Sequence, residues 1–150
     1  MIMNTKEALI DSCRQILDEN LKSNEAAMKD VRTAMFNETK SSAGDKFETA
    51  RATMQREEER LKGSIIKLKQ QEQLLKQTPL ISCDSVSPGA IVTTDSGSYF
   101  ISIGLGKITI EEKVYYAISP QAPIYLAMRD KKEKEVFTFN GRQFEIISIK

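Results

Sequence analysis

The first 78 residues contain no proline, whereas residues 79–150 contain all four. Proline breaks helix interiors. A long run without it, built from Glu, Lys, Gln, Ala, Leu, Met and Arg, is free to be helical almost throughout. Two apolar series run through it at spacings of three and four. The first is Ile10, Cys13, Leu17, Leu21, Met28, Val31 and Met35, with polar Asn24 inside it. The second is Phe47, Ala50, Met54, Leu61, Ile65, Leu68 and Leu75, with polar residues at 57–58 and 72. Each series draws one stripe on a helix. Between them NETKSSAGD carries the turn chemistry: Asn37, Ser41, Ser42, Gly44 and Asp45. Folding the chain there sets Leu21 opposite Leu61, Leu17 opposite Ile65, and Cys13 opposite Leu68 or Lys69. The polar gap at Asn24 then meets Glu57 and Glu58. This mirror order predicts an antiparallel coiled-coil hairpin over 1–78, with its tip near 39–46. Arms of about 30–35 residues would be on the order of 50 Å long. One stripe per helix leaves the other faces wet, so the hairpin is expected to protrude.

Thr78-Pro79 stops the second helix, because a residue before proline avoids the helical region. Residues 79–88 read as a linker. From Gly89 the chain turns to Val, Ile, Thr, Tyr and Phe, which favour strands. Ala90–Thr94 and Ser98–Ile103 flank Asp95-Ser96-Gly97; Lys107–Ile110 and Val114–Ile118 flank Glu111-Glu112-Lys113. Glu135–Phe139 and Gln143–Ile149 flank Asn140-Gly141, a two-residue hairpin signal. Ser119–Arg129 reads as a short helix entered through a proline turn. The expected fold class is α+β: a long helical hairpin, then a small antiparallel β domain with one short helix over 89–150. A domain of that size has a marginal core and is expected to lean on the base of the hairpin.

Several function classes fall away on composition. The chain has no histidine, which removes His-based triads, His general bases and His metal ligands. Lys plus Arg is 22 and Asp plus Glu is 21, so net charge exerts no bulk pull on nucleic acid or an anionic membrane. Cys13 and Cys83 are not in a metal or redox spacing and read as free thiols. No apolar run approaches the roughly 20 residues of a membrane helix. The N-terminus has charges inside its apolar pattern and is not a signal peptide, so the expected compartment is the cytoplasm. Gly104-Leu105-Gly106 is a turn and not a phosphate loop. Tyr99, Phe100, Tyr115, Tyr116, Phe137, Phe139 and Phe144 alternate along strands as core aromatics do.

The most informative stretch is Ser41-Ser42-Ala43-Gly44-Asp45-Lys46-Phe47-Glu48. Asp45 and Glu48, three apart at a helix start, lie on one face. Two carboxylates there suit Mg²⁺, which often takes only one or two protein oxygens. The same spacing makes a capping box worth roughly 1 kcal/mol, and both readings stand. Arg129-Asp130-Lys131-Lys132-Glu133-Lys134 reads either as a solvated loop or as a contact surface for phosphate or protein.

With those residues in view, the chain resembles the Gre transcript-cleavage factors of bacterial RNA polymerase. Gly44-Asp45-x-x-Glu48 aligns with that family's acidic tip, and Arg56-Glu57 with its Arg-Glu pair. Ile118-Ser119-Pro120-Gln121-Ala122-Pro123-Ile124 is similar to its Ser-Pro-Ile segment, and Phe144–Ile149 to its last strand. The resemblance spans nearly the whole chain. It implies an FKBP-like C-terminal domain and an accessory factor with no activity of its own. It implies a hairpin inserted into the polymerase secondary channel, where Asp45 and Glu48 assist the second Mg²⁺ in cutting backtracked RNA. The implied partner is bacterial RNA polymerase, met by a cytoplasmic monomer with indirect contact to RNA and none to membrane. Ser41, Ser42, Gly44, Lys46, Arg51, Arg129, Lys131 and Lys132 are the expected partner-binding residues. No tightly bound cofactor is implied.

The tip also departs from the family. Its asparagine, a following acid and its tyrosine are here Thr49, Arg51 and Ala52. Arg51 beside the acidic pair opposes cation binding, so a channel-binding modulator that does not stimulate cleavage stays open. So does a coiled-coil interaction module with another partner, for which Asp45 is only a cap.

Overall fold

The computed structural model describes residues 4–40 and 44–150; the side chains of 38–40 and 44–47 lie outside that description. Two long helices come first, α1 (Thr5–Lys40) and α2 (Gly44–Lys76). Asn4 caps α1: its side-chain oxygen accepts from the Lys6 amide at 2.9 Å, and its carbonyl from the Ala8 amide at 2.9 Å. The last turn of α2 closes through the Thr78 amide to the Leu75 carbonyl at 3.1 Å, and Pro79 follows. Along the expected stripes, Ile10, Cys13, Leu17, Met28, Leu61 and Leu75 are buried. Among the described residues, no helix is long and apolar enough to cross a membrane.

By internal contact the chain forms two compact units, one of Met1–Arg14 with Gln73–Lys150, the other of Gln15–Glu72. The second unit is the helical hairpin proper. Its helices are joined side to side by Asn24 Nδ2 donating to Ser64 Oγ at 3.5 Å and by Arg32 Nε donating to Glu58 Oε2 at 3.0 Å. The expected register is therefore displaced. Asn24 meets Ser64 rather than Glu57 and Glu58, and Glu58 instead meets Arg32. The shift is about one heptad, and stripes that repeat every seven residues look alike after such a slide. The polar cross-links choose between the two registers.

The first unit carries six strands, β1 (Ile91–Thr94), β2 (Gly97–Ile101), β3 (Gly106–Ile110), β4 (Lys113–Ile118), β5 (Val136–Phe139) and β6 (Arg142–Ile149), with the short helix α3 (Pro123–Met128) before β5. They form one sheet in the order β3-β4-β2-β1-β6-β5. The expected all-antiparallel sheet is corrected to a mixed one. β2 and β4 run parallel, with Ser98 beside Tyr115 and Ile101 beside Ile118. After β2 the chain passes over one strand position to place β3 at the edge, and β4 returns into the gap. The Ser102 amide binds the Ile118 carbonyl at 2.8 Å and the Leu105 amide the Ala117 carbonyl at 3.2 Å, which fixes that passage. Strand direction is set by these non-local bonds, and a local alternation pattern does not contain them.

Val86, Val92, Ile101, Met128, Tyr125, Phe137, Phe144 and Ile146 belong to one buried cluster. Phe100, neighbouring Ile101 on β2, is also fully buried, so the sheet is covered on both faces there. Residues 79–88 hold no helix or strand of their own, yet Val86 is a core residue. Its amide binds the Lys131 carbonyl at 2.8 Å. Gly89 sits at φ +92°, and a Cβ there would stand 2.6 Å from the Pro79 carbonyl oxygen. Only glycine fits both demands. The unit also includes the N-terminal end of α1: the buried Lys6 donates its ammonium to the Ile81 carbonyl and lies 3.8 Å from Cys83 Sγ. Leu9, Ile10 and Cys13 are buried in it too.

Candidate functional site

The acidic pair begins α2. Starting that helix at Gly44 puts Asp45 and Glu48 in its first two turns. There the unpaired amides and the helix dipole favour negative charge. Glu48 is exposed, as a group that must reach a partner has to be. Ser41 and Ser42 lie outside the described residues, as do the side chains of Gly44, Asp45 and Lys46. The predicted capping geometry at Asp45 therefore lies outside them as well. Arg51, one turn beyond Glu48, is half-buried and has an interaction of its own. No cluster of three or more Cys, Asp or Glu that would hold a metal ion occurs among the described residues. A cation at Asp45 and Glu48 would draw its remaining ligands from water or a partner.

Further along α2 the acidic run is sorted into pairs. Arg60 grips Glu57 with two bonds, Nε to Oε2 at 2.9 Å and Nη2 to Oε1 at 2.6 Å. Those bonds hold the Glu57 carboxyl below its usual range. Glu58 faces Arg32 of α1. Arg56, expected beside Glu57, is exposed.

The Arg129–Lys134 segment is more ordered than a solvated loop. The Asp130 amide binds the Val86 carbonyl at 3.0 Å, and the Lys134 amide binds the Ile146 carbonyl at 2.8 Å. Glu133 Oε1 accepts from the Ile149 amide at 2.9 Å. Asp130 and Lys134 take left-handed φ of 66° and 72° to make this path. The side chains of Arg129 and Lys132 are exposed and that of Lys131 is half-buried. Arg129 Nε lies 3.8 Å from Asp130 Oδ2, a loose pair on the surface. The backbone is thus a fixed platform that presents cations. The acidic pair belongs to the helical unit and these cations to the sheet-bearing one.

Several solved structures resemble this chain, among them two of Gfh1. A crystal structure of the GreA factor homolog 1 (Gfh1) protein of Thermus thermophilus matches at 14% identity, over 91% of this chain and 93% of that one, with a TM-score of 0.36. A structure described as the transcription factor Gfh1 matches at 14% identity, over 92% of this chain and 93% of the other, with a TM-score of 0.38. No protein-family model and no curated protein matches.

Two features escaped the sequence reading. Lys6 is buried where a lysine beside a helix start is expected in water, and nothing local announces its partner, the Ile81 carbonyl 75 residues away. The other is a groove along the hairpin lined by Met28, Phe36, Ile65 and Ile66. Its signal was present: Phe36 and Ile66 each sit one residue beyond a stripe position and widen the apolar face.

Proposed function

We propose that the chain is a Gre-like accessory factor that binds bacterial RNA polymerase through its secondary channel and modulates the active site. The observation that best supports this is an antiparallel hairpin of helices of 36 and 33 residues, with Asp45 and Glu48 in the opening turns of the second. The resemblance of Gly44-Asp45-x-x-Glu48 and of the Ser119-Pro120 segment to the Gre pattern supports the same reading. In this reading Asp45 and Glu48 offer carboxylate oxygens to Mg²⁺ belonging to the polymerase. When bound, that metal activates water and clamps an in-line displacement at phosphorus. Ser41, Ser42, Gly44, Lys46 and Arg51 touch the channel wall around the pair. An FKBP-like sheet unit presents Arg129, Lys131 and Lys132 at the rim. The factor works in the cytoplasm as a monomer, reaches RNA only through the polymerase, and turns over nothing alone.

A second version of the same role is favoured by Arg51. It stands one turn from Glu48 on the same helix, where a cation competes with Mg²⁺ for the carboxylates. In that version the chain occupies the channel and lowers cleavage. The test is RNA cleavage in a backtracked polymerase complex, with the intact chain and with Asp45→Ala and Glu48→Ala. Cleavage raised by the chain and lost in both variants with binding retained supports the stimulating form. Cleavage suppressed by the chain and restored by Arg51→Ala supports the blocking form. Absence of polymerase binding rejects both.

A further inference from the structure

One side of the helical unit holds an open groove of about 620 Å³. Its lining residues on α1 run from Glu25 to Phe36 at helical spacing, and those on α2 are Lys62, Ile65, Ile66 and Lys69. Both series recur at intervals of three and four, so each is one helical face, and the two faces share one trough. The apolar part is Met28, Phe36, Ile65 and Ile66. Phe36 is 61% and Ile66 52% exposed, so large apolar area stands in water outside the buried stripe. Charge around it is one-sided: Lys29, Arg32, Lys62 and Lys69 against Glu25. Arg32 is engaged by Glu58. The ammonium groups of Lys29, Lys62 and Lys69 have no carboxylate within ion-pair distance among the described residues.

We propose that this groove docks an acidic amphipathic helix of a partner protein. Its apolar side would lie on Met28, Phe36, Ile65 and Ile66, with its flanking carboxylates against Lys29, Lys62 and Lys69. Two paired helices leave such a trough, and a third helix laid in it completes a three-helix packing. The α1 wall from residue 25 to 36 spans about three turns, enough to seat a helix of similar length. Charge selects the occupant. A second copy applying the same face by two-fold symmetry would set cations against cations. A nucleic acid would satisfy the lysines but leave the aliphatic floor without a matching surface. An acidic helix answers both features. This inference does not rest on the polymerase reading, because it concerns only the helical pair.

The experiment uses the full chain and a labelled synthetic helical peptide with leucine on one face and glutamate on both flanks, followed by fluorescence anisotropy. Saturable binding that falls at least about tenfold with Ile66→Ser, and again with Lys62→Glu/Lys69→Glu, is expected. A peptide with lysine flanks should recover binding to the charge-reversed chain. Ile66, Lys62 and Lys69 are exposed, and far-UV circular dichroism of each variant verifies an intact helical pair. The proposal is overturned by absence of saturable binding or by equal binding to the Ile66→Ser chain. It is also overturned if glutamine-flanked peptide binds as tightly as glutamate-flanked peptide. Displacement of the peptide by a mixed-sequence oligonucleotide, with binding of that oligonucleotide insensitive to Ile66→Ser, would reassign the groove to nucleic acid. Concentration-dependent dimerisation abolished by Ile66→Ser would reassign it to self-association. Polymerase binding is a separate readout, so either result there leaves this one interpretable.

Discussion

The sheet-bearing unit and the helical unit are held together by different physics. The first closes a cluster around Ile101, Met128 and Ile146, all fully buried, and covers Phe100 on the opposite face. The second buries Leu17, Met28 and Leu61 along one stripe, and two weak polar links, Asn24 to Ser64 and Arg32 to Glu58, mark its register. The sheet is covered on both faces only around Phe100 and Ile101; its outer strands alternate, and Ile81, Leu126, Val136 and Ile147 of the first unit stand exposed. A two-helix pair has no third layer to bury its flanks, and there Ile66 and Phe36 are 52% and 61% exposed along one trough. The comparison teaches that both units offer surface, in different form: the helical unit gathers apolar side chains and lysines into one trough, and the sheet-bearing unit carries Arg129, Lys131 and Lys132 on a hydrogen-bonded segment.

The largest expected effect is in the core of the first unit. Phe100→Ala should cost about 3–5 kcal/mol, because a full aromatic volume is deleted from a site with no solvent access. Leu61→Ala in the helical unit should cost about 2–3 kcal/mol, the lower part of the Leu→Ala range, since a narrow seam relaxes more readily. The two are separable by spectroscopy. All four tyrosines lie in the sheet-bearing unit, so the near-UV signal follows Phe100→Ala and the far-UV helix signal follows Leu61→Ala.

The two units also differ in which groups link their stability to pH. Burial pushes the Cys13 thiol from 9.0 up to about 11. Desolvation likewise raises Tyr99 and Tyr125. For each, the unfolded chain gives up its proton first, so stability is complete below the unfolded value and falls as pH rises through the shifted one. For Cys13 that window runs from about 9 to about 11. Denaturant midpoints of the near-UV transition should fall across it, and Cys13→Ala should flatten the fall. In the helical unit the lowered Glu57 carboxyl works the other way. Its small contribution is present above 4.5 and disappears as pH drops through its folded value. Far-UV titration in acid reads this, with Arg60→Ala as the control.

A smaller effect contrasts two turns of the same kind. Asn140 and Gly141 take φ of 51° and 76°, and Glu111 and Glu112 take 48° and 70°. Both are two-residue hairpin turns with left-handed centres. The first uses the residues that tolerate this, and the second uses two that resist it. Replacing Glu111-Glu112 by Asn-Gly should stabilise the unit by about 0.5–1 kcal/mol in urea unfolding. Smallest is the exposed Arg32–Glu58 pair: removing either partner should change stability by less than about 0.5 kcal/mol, and less again at high salt.

Those turns show why parts of this fold are readable and parts are not. Asn140-Gly141 announces its geometry through residue type, as Thr78-Pro79 announces the end of α2. Glu111-Glu112 announces nothing, and there the loop reads one residue too long, with β4 starting at Lys113 and not Val114. The stripes from Ile10 and from Phe47 predict the helices, but a seven-residue repeat cannot tell registers one heptad apart, and the predicted pairing of Asn24 with Glu57 and Glu58 is off by about that much from the observed Asn24–Ser64 and Arg32–Glu58. The parallel β2–β4 pair depends on bonds between residues 102 and 118, a separation that local periodicity cannot span. At the candidate site, Asp45 and Glu48 are visible in the sequence as carboxylates three apart, and the structure adds that both fall in the first two turns of α2. The groove was legible only in part: Phe36 and Ile66 stand beside stripe positions, but which side chains share one trough depends on the register between the helices.

Site-specific photo-cross-linking from position 48 to bacterial RNA polymerase probes the functional reading most directly. A probe at Glu48 in the full chain should join the polymerase subunit that holds the catalytic Mg²⁺, while a probe at exposed Glu112 of the β3–β4 turn should not. A probe at position 48 that joins no polymerase subunit, or only outer surface sites, would mean that the acidic end of the hairpin does not reach the active centre.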